Sequence, residues 1–294
     1  MTLNRNLSVF IIIITVAILA VSGHLFYLSS LNGDETFPED TYLNNVTTKT
    51  ALIIVAHDDD AISSSGTISE LTKQGWKIHF LTFYGNWRKE DNPTRKREVE
   101  QVAKIQNLAS IDLFDFSIQK TDTVEKPWMP VPYVRFADYM KTDSLEILIL
   151  KAIEKYQPSV IFSLDDIFGG YGHPEHVCVS QIITRVCSEN KMKESFPVNR
   201  IYQAIYTQTM NENIIGDMPV YLAAKKVYNP DQMPVPDVEI DIYNSANEKM
   251  RVMQAYESQH RNLKKYWPYY HWYPSWVYFK IFDKEYFRVI NVKA

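Results

Sequence analysis

The sequence predicts an α/β protein: a Rossmann-like, mostly parallel sheet with helices on both faces, preceded by an N-terminal transmembrane or signal helix. Three observations carry this. Between residues 51 and 207, strand-length apolar runs alternate with segments of helical periodicity, the βαβα order of a doubly wound sheet. The first run, Ala51-Leu52-Ile53-Ile54-Val55, is apolar at every position, as a strand covered on both faces requires. A separate, nearly unbroken apolar stretch from Leu7 to Leu28 opens the chain.

That stretch is long enough, at roughly 20 residues, to cross a bilayer as a helix. Arg5 precedes it, whereas Asp34, Glu35, Glu39 and Asp40 follow it, with no Lys or Arg before Lys49. This asymmetry places the N-terminus in the cytoplasm and the rest of the chain on the non-cytoplasmic side. A cleaved signal peptide is the alternative reading, and both readings export the following domain. Residues 1–28 are therefore read as anchor or signal, 29–50 as a polar linker, and 51–294 as one domain with an aromatic-rich extension from about 264 to 294.

Within that domain, residues 51–56 form the first strand and 62–74 a helix that Gly75 ends. Residues 77–83 read as a strand and 94–107 as a helix entered through Pro93. A strand at 111–116 precedes a Pro- and Trp-containing insertion at 121–141. A helix at 142–156, a strand at 159–164, a helix at 173–190 and a strand at 200–207 complete the alternation. Residues 219–228 and 238–242 read as edge strands, and 245–263 as an amphipathic helix. The tail then gathers Tyr266, Trp267, Tyr269, Tyr270, Trp272, Tyr273 and Trp276, a packing flap, a sugar-stacking surface or a membrane-interface belt.

The chain has 294 residues, 46% hydrophobic, and a net charge of −4, which gives no reason to expect a nucleic-acid partner. It carries neither GxGxxG nor a Walker-type loop, so a nucleotide cofactor is not expected. Its two cysteines, Cys178 and Cys187, point about 180° apart on one helix and read as core thiols.

The chemistry concentrates in two segments. His57-Asp58-Asp59-Asp60 follows the first strand, and His173-Pro174-Glu175-His176 opens the helix after the fourth. In parallel sheets ligands sit beyond the carboxyl ends of the strands, so both segments fall on one edge. Together they offer two or three imidazoles and several carboxylates, the donor set of an open catalytic Zn2+ site with a spare carboxylate for proton transfer.

In order and spacing these segments and several others resemble the PIG-L/LmbE-like zinc de-N-acetylases. Ala56-His57-Asp58-Asp59-Asp60 resembles the family's AHPDDE signature, Ser65-Gly66-Thr67-Ile68 its Gly-Gly-Thr-Leu segment, and Leu81-Thr82-Phe83-Tyr84-Gly85 its second-strand ending. Arg95 to Glu98 resembles its Arg-x-x-Glu, His173-Pro174-Glu175-His176 its HPDH, and Lys249 through Tyr256-Glu257-Ser258-Gln259 its closing Lys…His-x-Ser-Gln. The resemblance implies removal of an acetyl group from an N-acetylglucosamine-type sugar in a glycan, glycoside or glycolipid. It implies His57, Asp60 and His176 as zinc ligands, Asp59 as general base, and His173 as an imidazolium stabilising the oxyanion. Glu175 would orient an imidazole, Tyr171 is a further oxyanion donor, and Arg95 a substrate-positioning residue. Asp58 replaces the family's proline and Ala61 its glutamate, which loosens the turn and adds a third carboxylate. A non-catalytic carbohydrate-binding relative and a metal hydrolase of a different bond are the competing functions, and acetate release separates them.

Overall fold

The computed structural model describes residues 5–83, 89–120 and 126–293. Among the described residues seven strands form one sheet: β1 (Thr50–Val55), β2 (Lys77–Phe83), β3 (Ser110–Phe114), β4 (Val160–Leu164), β5 (Arg200–Ile205), β6 (Val238–Asp241) and β7 (Lys284–Asn291). Their order is β3-β2-β1-β4-β5-β7-β6. The first five pair in parallel, and β7 runs antiparallel to both β5 and β6.

The uninterrupted apolar run of β1 follows from its place at the centre. Ala51, Ile53 and Val55 face one core, and Leu52, Ile54 and Ala56 face the other, because successive side chains point to opposite faces. Helices cover both sides. The first core is closed by α2 (Ser65–Lys73), α3 (Asn92–Gln106), α7 (Ala246–Ala255) and α9 (Ser275–Ile281), and the second by α4 (Thr142–Tyr156), α5 (Pro174–Asn190) and α6 (Pro219–Tyr228). The two cysteine thiols lie buried and unbridged in α5.

Three elements differ from the sequence reading. Pro219–Tyr228 is a helix, not an edge strand. Its buried positions Val220, Tyr221, Ala224 and Tyr228 recur at helical spacing, and proline at the first turn is pre-organised for a helix. The helix expected over 245–263 breaks at Tyr256 into α7, a turn at Glu257–Gln259 and α8 (His260–Tyr266). The break is held from outside: the Tyr256 hydroxyl donates to the Asp58 carbonyl at 2.8 Å, and Glu98 accepts from the Ser258 N–H and hydroxyl, both at 2.7 Å. Finally, the C-terminal segment supplies β7, which inserts between β5 and β6. The proposed second-strand ending at Tyr84-Gly85 and part of the 121–141 insertion lie outside the described residues.

The N-terminal helix α1 (Arg5–Asn32) is continuous into the domain. Its far end is core: Leu28 and Leu31 are buried, as is Leu43 beyond it. Residues 33–49 are fastened by the Phe37 N–H donating to Glu239 at 3.0 Å and by the Tyr202 hydroxyl donating to Asp40 at 2.6 Å.

One buried ion pair ties the sheet's antiparallel edge to α2. Glu285 of β7 accepts from the Gly66 and Thr67 N–H groups, each at 2.8 Å, and pairs with buried Lys249 of α7. Removing the carboxylate leaves a buried ammonium and two orphaned amides. Glu285→Ala is therefore expected to destabilise the fold by about 3–5 kcal/mol, read as a shift of the denaturant midpoint at unchanged slope.

Candidate metal and catalytic site

The strand order reverses direction between β1 and β4, so their carboxyl ends flank the crevice where doubly wound sheets bind ligands. The chain leaves β1 into a 3-10 turn at Asp58–Ser64, whose first turn carries Asp58, Asp59 and Asp60. It leaves β4 into a loop held by buried Asp165, which accepts from the N–H groups of Ile167 at 3.0 Å, Phe168 at 2.5 Å and Gly170 at 2.7 Å. That loop delivers His173 as the N-cap of α5, with Glu175 and His176 in its first turn.

Three donor atoms converge. His57 Nδ1 lies 2.9 Å from His176 Nε2, and Asp60 Oδ2 lies 3.2 Å from His176 Nε2 and 3.6 Å from His57 Nδ1. Ligands about 2.0–2.2 Å from a tetrahedral metal stand about 3.3–3.5 Å apart, so this triangle fits a zinc-sized ion. The outer nitrogens are already engaged: His57 Nε2 meets Glu175 Oε2 at 2.6 Å, and His176 Nδ1 meets the Gly169 carbonyl at 2.9 Å. Each partner fixes the tautomer that leaves a lone pair facing inward. His57, His173 and His176 also offer nitrogens within 4.8 Å of one another. However, the His173 ring lies nearly parallel to that of His176, with centroids 4.6 Å apart, and its Nδ1 accepts the Glu175 N–H at 3.3 Å.

Charge is unevenly balanced. Asp58, Asp59 and Asp60 share one guanidinium, that of Arg95, while Glu175 faces His57. Arg95 Nε donates to the two oxygens of Asp58 at 2.8 and 3.1 Å, and Nη2 donates to Asp58 and, at 2.7 Å, to Asp59. Asp58 is thus a buried partner of Arg95. Burial acts to lower the His57 pKa, but the hydrogen bond to Glu175 and the charges of Asp60, Glu175 and Asp59 outweigh it and raise it to about 9. Burial pushes Asp60 up to about 7, against the pull of His57. His176 falls to about 3 through burial and the charge of His57. The carboxylates of this cluster thus favour a cation at its centre.

Burial, then the neighbouring His176 and His57, hold His173 well below the usual histidine range. Its Nδ1 accepts the Glu175 N–H, so in the neutral ring the proton sits on Nε2. Tyr171 places its ring edge-on to His176, centroids 5.2 Å apart, and leans on Tyr266 at 4.8 Å. Asp59 is the carboxylate not drawn into the triangle. Arg95 holds its Oδ1, and no described residue holds Oδ2.

The cluster opens into a cavity of about 450 Å³ whose far wall is apolar and aromatic, including Tyr206, Met210, Met218, Tyr266 and Trp267. Of these, only the two from the C-terminal aromatic run were visible as candidates in sequence. Tyr206, Met210 and Met218 follow β5, where nothing in composition or spacing marks them. Glu98 and Tyr256, which brace the Asp58 turn, lie in segments flagged by motif alone.

A doubly wound domain with a metal-competent His/Asp cluster at its switch point defines a class of α/β proteins whose chemistry sits at the strand ends. Residues 52–187 match the model of the PIG-L family, described as GlcNAc-PI de-N-acetylase, and this stretch is a PIG-L (LmbE-like) domain. The fold is also that of solved relatives. The N,N'-diacetylchitobiose deacetylase from Pyrococcus horikoshii aligns at TM-score 0.52 and 16% identity, over 86% of this chain and 90% of its own. The teicoplanin deacetylase Orf2, in a form described as zinc inhibited, aligns at 0.52 and 11%, over 82% and 98%. The 4-carboxy-2-hydroxymuconate hydratase of Pseudomonas putida KT2440 aligns at 0.50 and 15%, over 74% and 82%. No curated protein matches the sequence.

Two outcomes follow from the geometry. Gly169 has a φ of +55°, and a Cβ there would meet the His176 Cβ at 2.5 Å. Gly169→Ala is expected to displace His176 and lower metal stoichiometry, read by elemental analysis, with the far-UV spectrum retained. The second concerns pH. His57 binds its proton more tightly folded than unfolded, so its contribution to stability is complete below its ordinary value of 6.5 and is lost as pH rises through about 9. The unfolding temperature of chelator-treated protein should therefore fall between those limits, and saturating divalent metal, which competes with that proton, should abolish the fall.

Proposed function

We propose that this chain is a membrane-tethered, metal-dependent de-N-acetylase acting on an N-acetylglucosamine-type sugar carried by a glycan, glycoside or glycolipid. The observation that carries this reading is the His57–Asp60–His176 triangle beside Asp59, a carboxylate left outside it. The PIG-L match over residues 52–187 supports the reaction class. An N,N'-diacetylchitobiose deacetylase and a teicoplanin deacetylase share the fold, and the former supports a sugar-type substrate.

In this reading His57, Asp60 and His176 would hold Zn2+, which when bound supplies Lewis-acid polarisation of the acetamide carbonyl and a water of lowered pKa. Asp59 accepts the proton of the attacking water at Oδ2. Arg95, anchored on Asp58, keeps that carboxylate ionised and aimed. As the carbonyl oxygen gains charge, His173 would donate to it from Nε2 as a neutral hydrogen-bond donor, and Tyr171 would add its hydroxyl. Collapse breaks the carbon–nitrogen bond, and Asp59 returns its proton to the departing amine. Water and the N-acetyl group become acetate and a free amino sugar. Glu175 fixes the His57 ring throughout.

The apolar stretch of α1, from Leu7, has the length and composition of a single membrane span. With Arg5 before it and four acidic residues after it, the catalytic domain belongs on the non-cytoplasmic side. Protease accessibility in sealed vesicles reads that topology.

The test is acetate release from a panel of N-acetylglucosamine conjugates, free and lipid-linked, by the full chain loaded in turn with zinc and other divalent metals. Zinc-dependent release is expected, and Asp59→Ala should lower kcat by about 10²- to 10⁴-fold while keeping bound metal. The shared fold of a hydratase favours one second reading, activation of water for addition to a carbon–carbon double bond. Metal binding without acetate release from any member of the panel would favour it.

A further inference from the structure

The two ends of α1 live in different surroundings. From Leu7 to Val21 its large apolar side chains are 42–65% exposed. Leu28 and Leu31, two turns further on, are 0% and 6% exposed, inside the domain's core. At the crossover, the C-terminal aromatic segment closes around His24. Tyr273 Oη lies 2.6 Å from His24 Nδ1, and the rings of Tyr269 and Trp272 stand 4.6 and 5.3 Å from the imidazole. Trp272 of this collar and Trp276 beyond it are 61% and 65% exposed, and Phe26 of α1 is 79% exposed.

The position of the collar along the helix has a length scale. Leu7 to Phe26 spans about 30 Å at 1.5 Å per residue, the thickness of a bilayer's hydrocarbon core. The two exposed tryptophans therefore stand at one end of that span, where indole rings, apolar with one polar N–H, are most stable. The charge of the segment agrees. Between Glu257 and Asp283 there is no acidic residue, whereas Arg261, Lys264, Lys265 and Lys280 are present in a chain whose net charge is −4. All four are exposed. Basic groups flanking exposed indoles suit an anionic lipid surface.

We infer that the segment from Arg261 to Lys280 is a bilayer-docking surface, with Trp272 and Trp276 seated among the headgroups of an anionic membrane. This rests on the reading of α1 as a membrane span. The dock gives the domain one orientation: α1 enters the core without a flexible joint, and the collar holds the same helix at the membrane surface. The opposite side of the segment is the cavity wall, since Tyr266 leans on Tyr171 and Trp267 lines the pocket. Docking therefore sets the catalytic cavity beside the lipid surface.

The test uses the full chain reconstituted in phosphatidylcholine/phosphatidylglycerol vesicles containing lipids brominated near the headgroup or near the bilayer centre. Trp272→Phe/Trp276→Phe is compared with the wild type, a pair that keeps an aromatic ring at the His24 collar position and leaves the pocket lining unchanged. Headgroup-proximal bromines are expected to quench wild-type tryptophan emission, and the double variant should lose more than half of that quenching. Bromines at the bilayer centre should give little difference. Equal quenching in the two proteins, or none in either, overturns the dock. Retention of the chain in alkali-washed vesicles separates the two readings. A chain that washes out overturns anchor and dock together, whereas a retained chain without tryptophan-dependent quenching overturns the dock alone.

Discussion

Four carboxylates, those of Asp58, Asp59, Asp60 and Glu175, gather at the mouth of β1 and β4 against one guanidinium and two imidazoles. Concentrating negative charge in a poorly solvated place is unfavourable unless each group is paired. Much of the structure around the site meets that constraint. Arg95 is spent on Asp58 and Asp59, and His57 retains a proton to face Glu175 and Asp60. What remains is a triangle of lone pairs of the right size for a divalent cation, which would discharge the same imbalance more completely than a proton does.

Tolerating this charge requires a rigid surround, and the surround comes from distant parts of the chain. Tyr256 holds the Asp58 carbonyl, Glu98 holds the turn that follows Tyr256, and Glu285 with Lys249 pins the start of α2 behind the acidic turn. These braces draw on α3, α7 and β7, so the C-terminal third is as much a part of the site as the two histidine segments. The loop after β4 is ordered in a similar way, by three amides turned onto Asp165.

Much of the site was legible in sequence because its two segments sit where a parallel sheet must place them. A fully apolar β1 and a fourth strand ending at Leu164, ahead of the loop to His173, require no knowledge of side-chain packing to bring both to one edge. What escaped was set by partners remote in sequence. The Pro219–Tyr228 segment is apolar enough to pass for a strand, and only its burial spacing distinguishes a helix. The break at Tyr256 is imposed by Asp58 and Glu98, which no local propensity encodes. β7 hides in an aromatic tail whose composition suits a flap as well as a strand. Burial and two other imidazoles push the His173 pKa down, an effect of packing that the motif alone does not carry.

The Asp58–Arg95 pair also changes what kind of restraint governs the acidic turn. A proline there would act through its ring, permanently and on the backbone alone. An ion pair restrains through a partner that has other uses. Arg95 offers five N–H donors, and those on Nε and Nη2 are engaged by Asp58 and Asp59. A ligand reaching for this guanidinium must take what Nη1 offers or draw Arg95 away from a buried carboxylate. Occupancy of the pocket and the shape of the turn beneath it are thereby joined in one mechanical linkage, where a proline would have kept them separate.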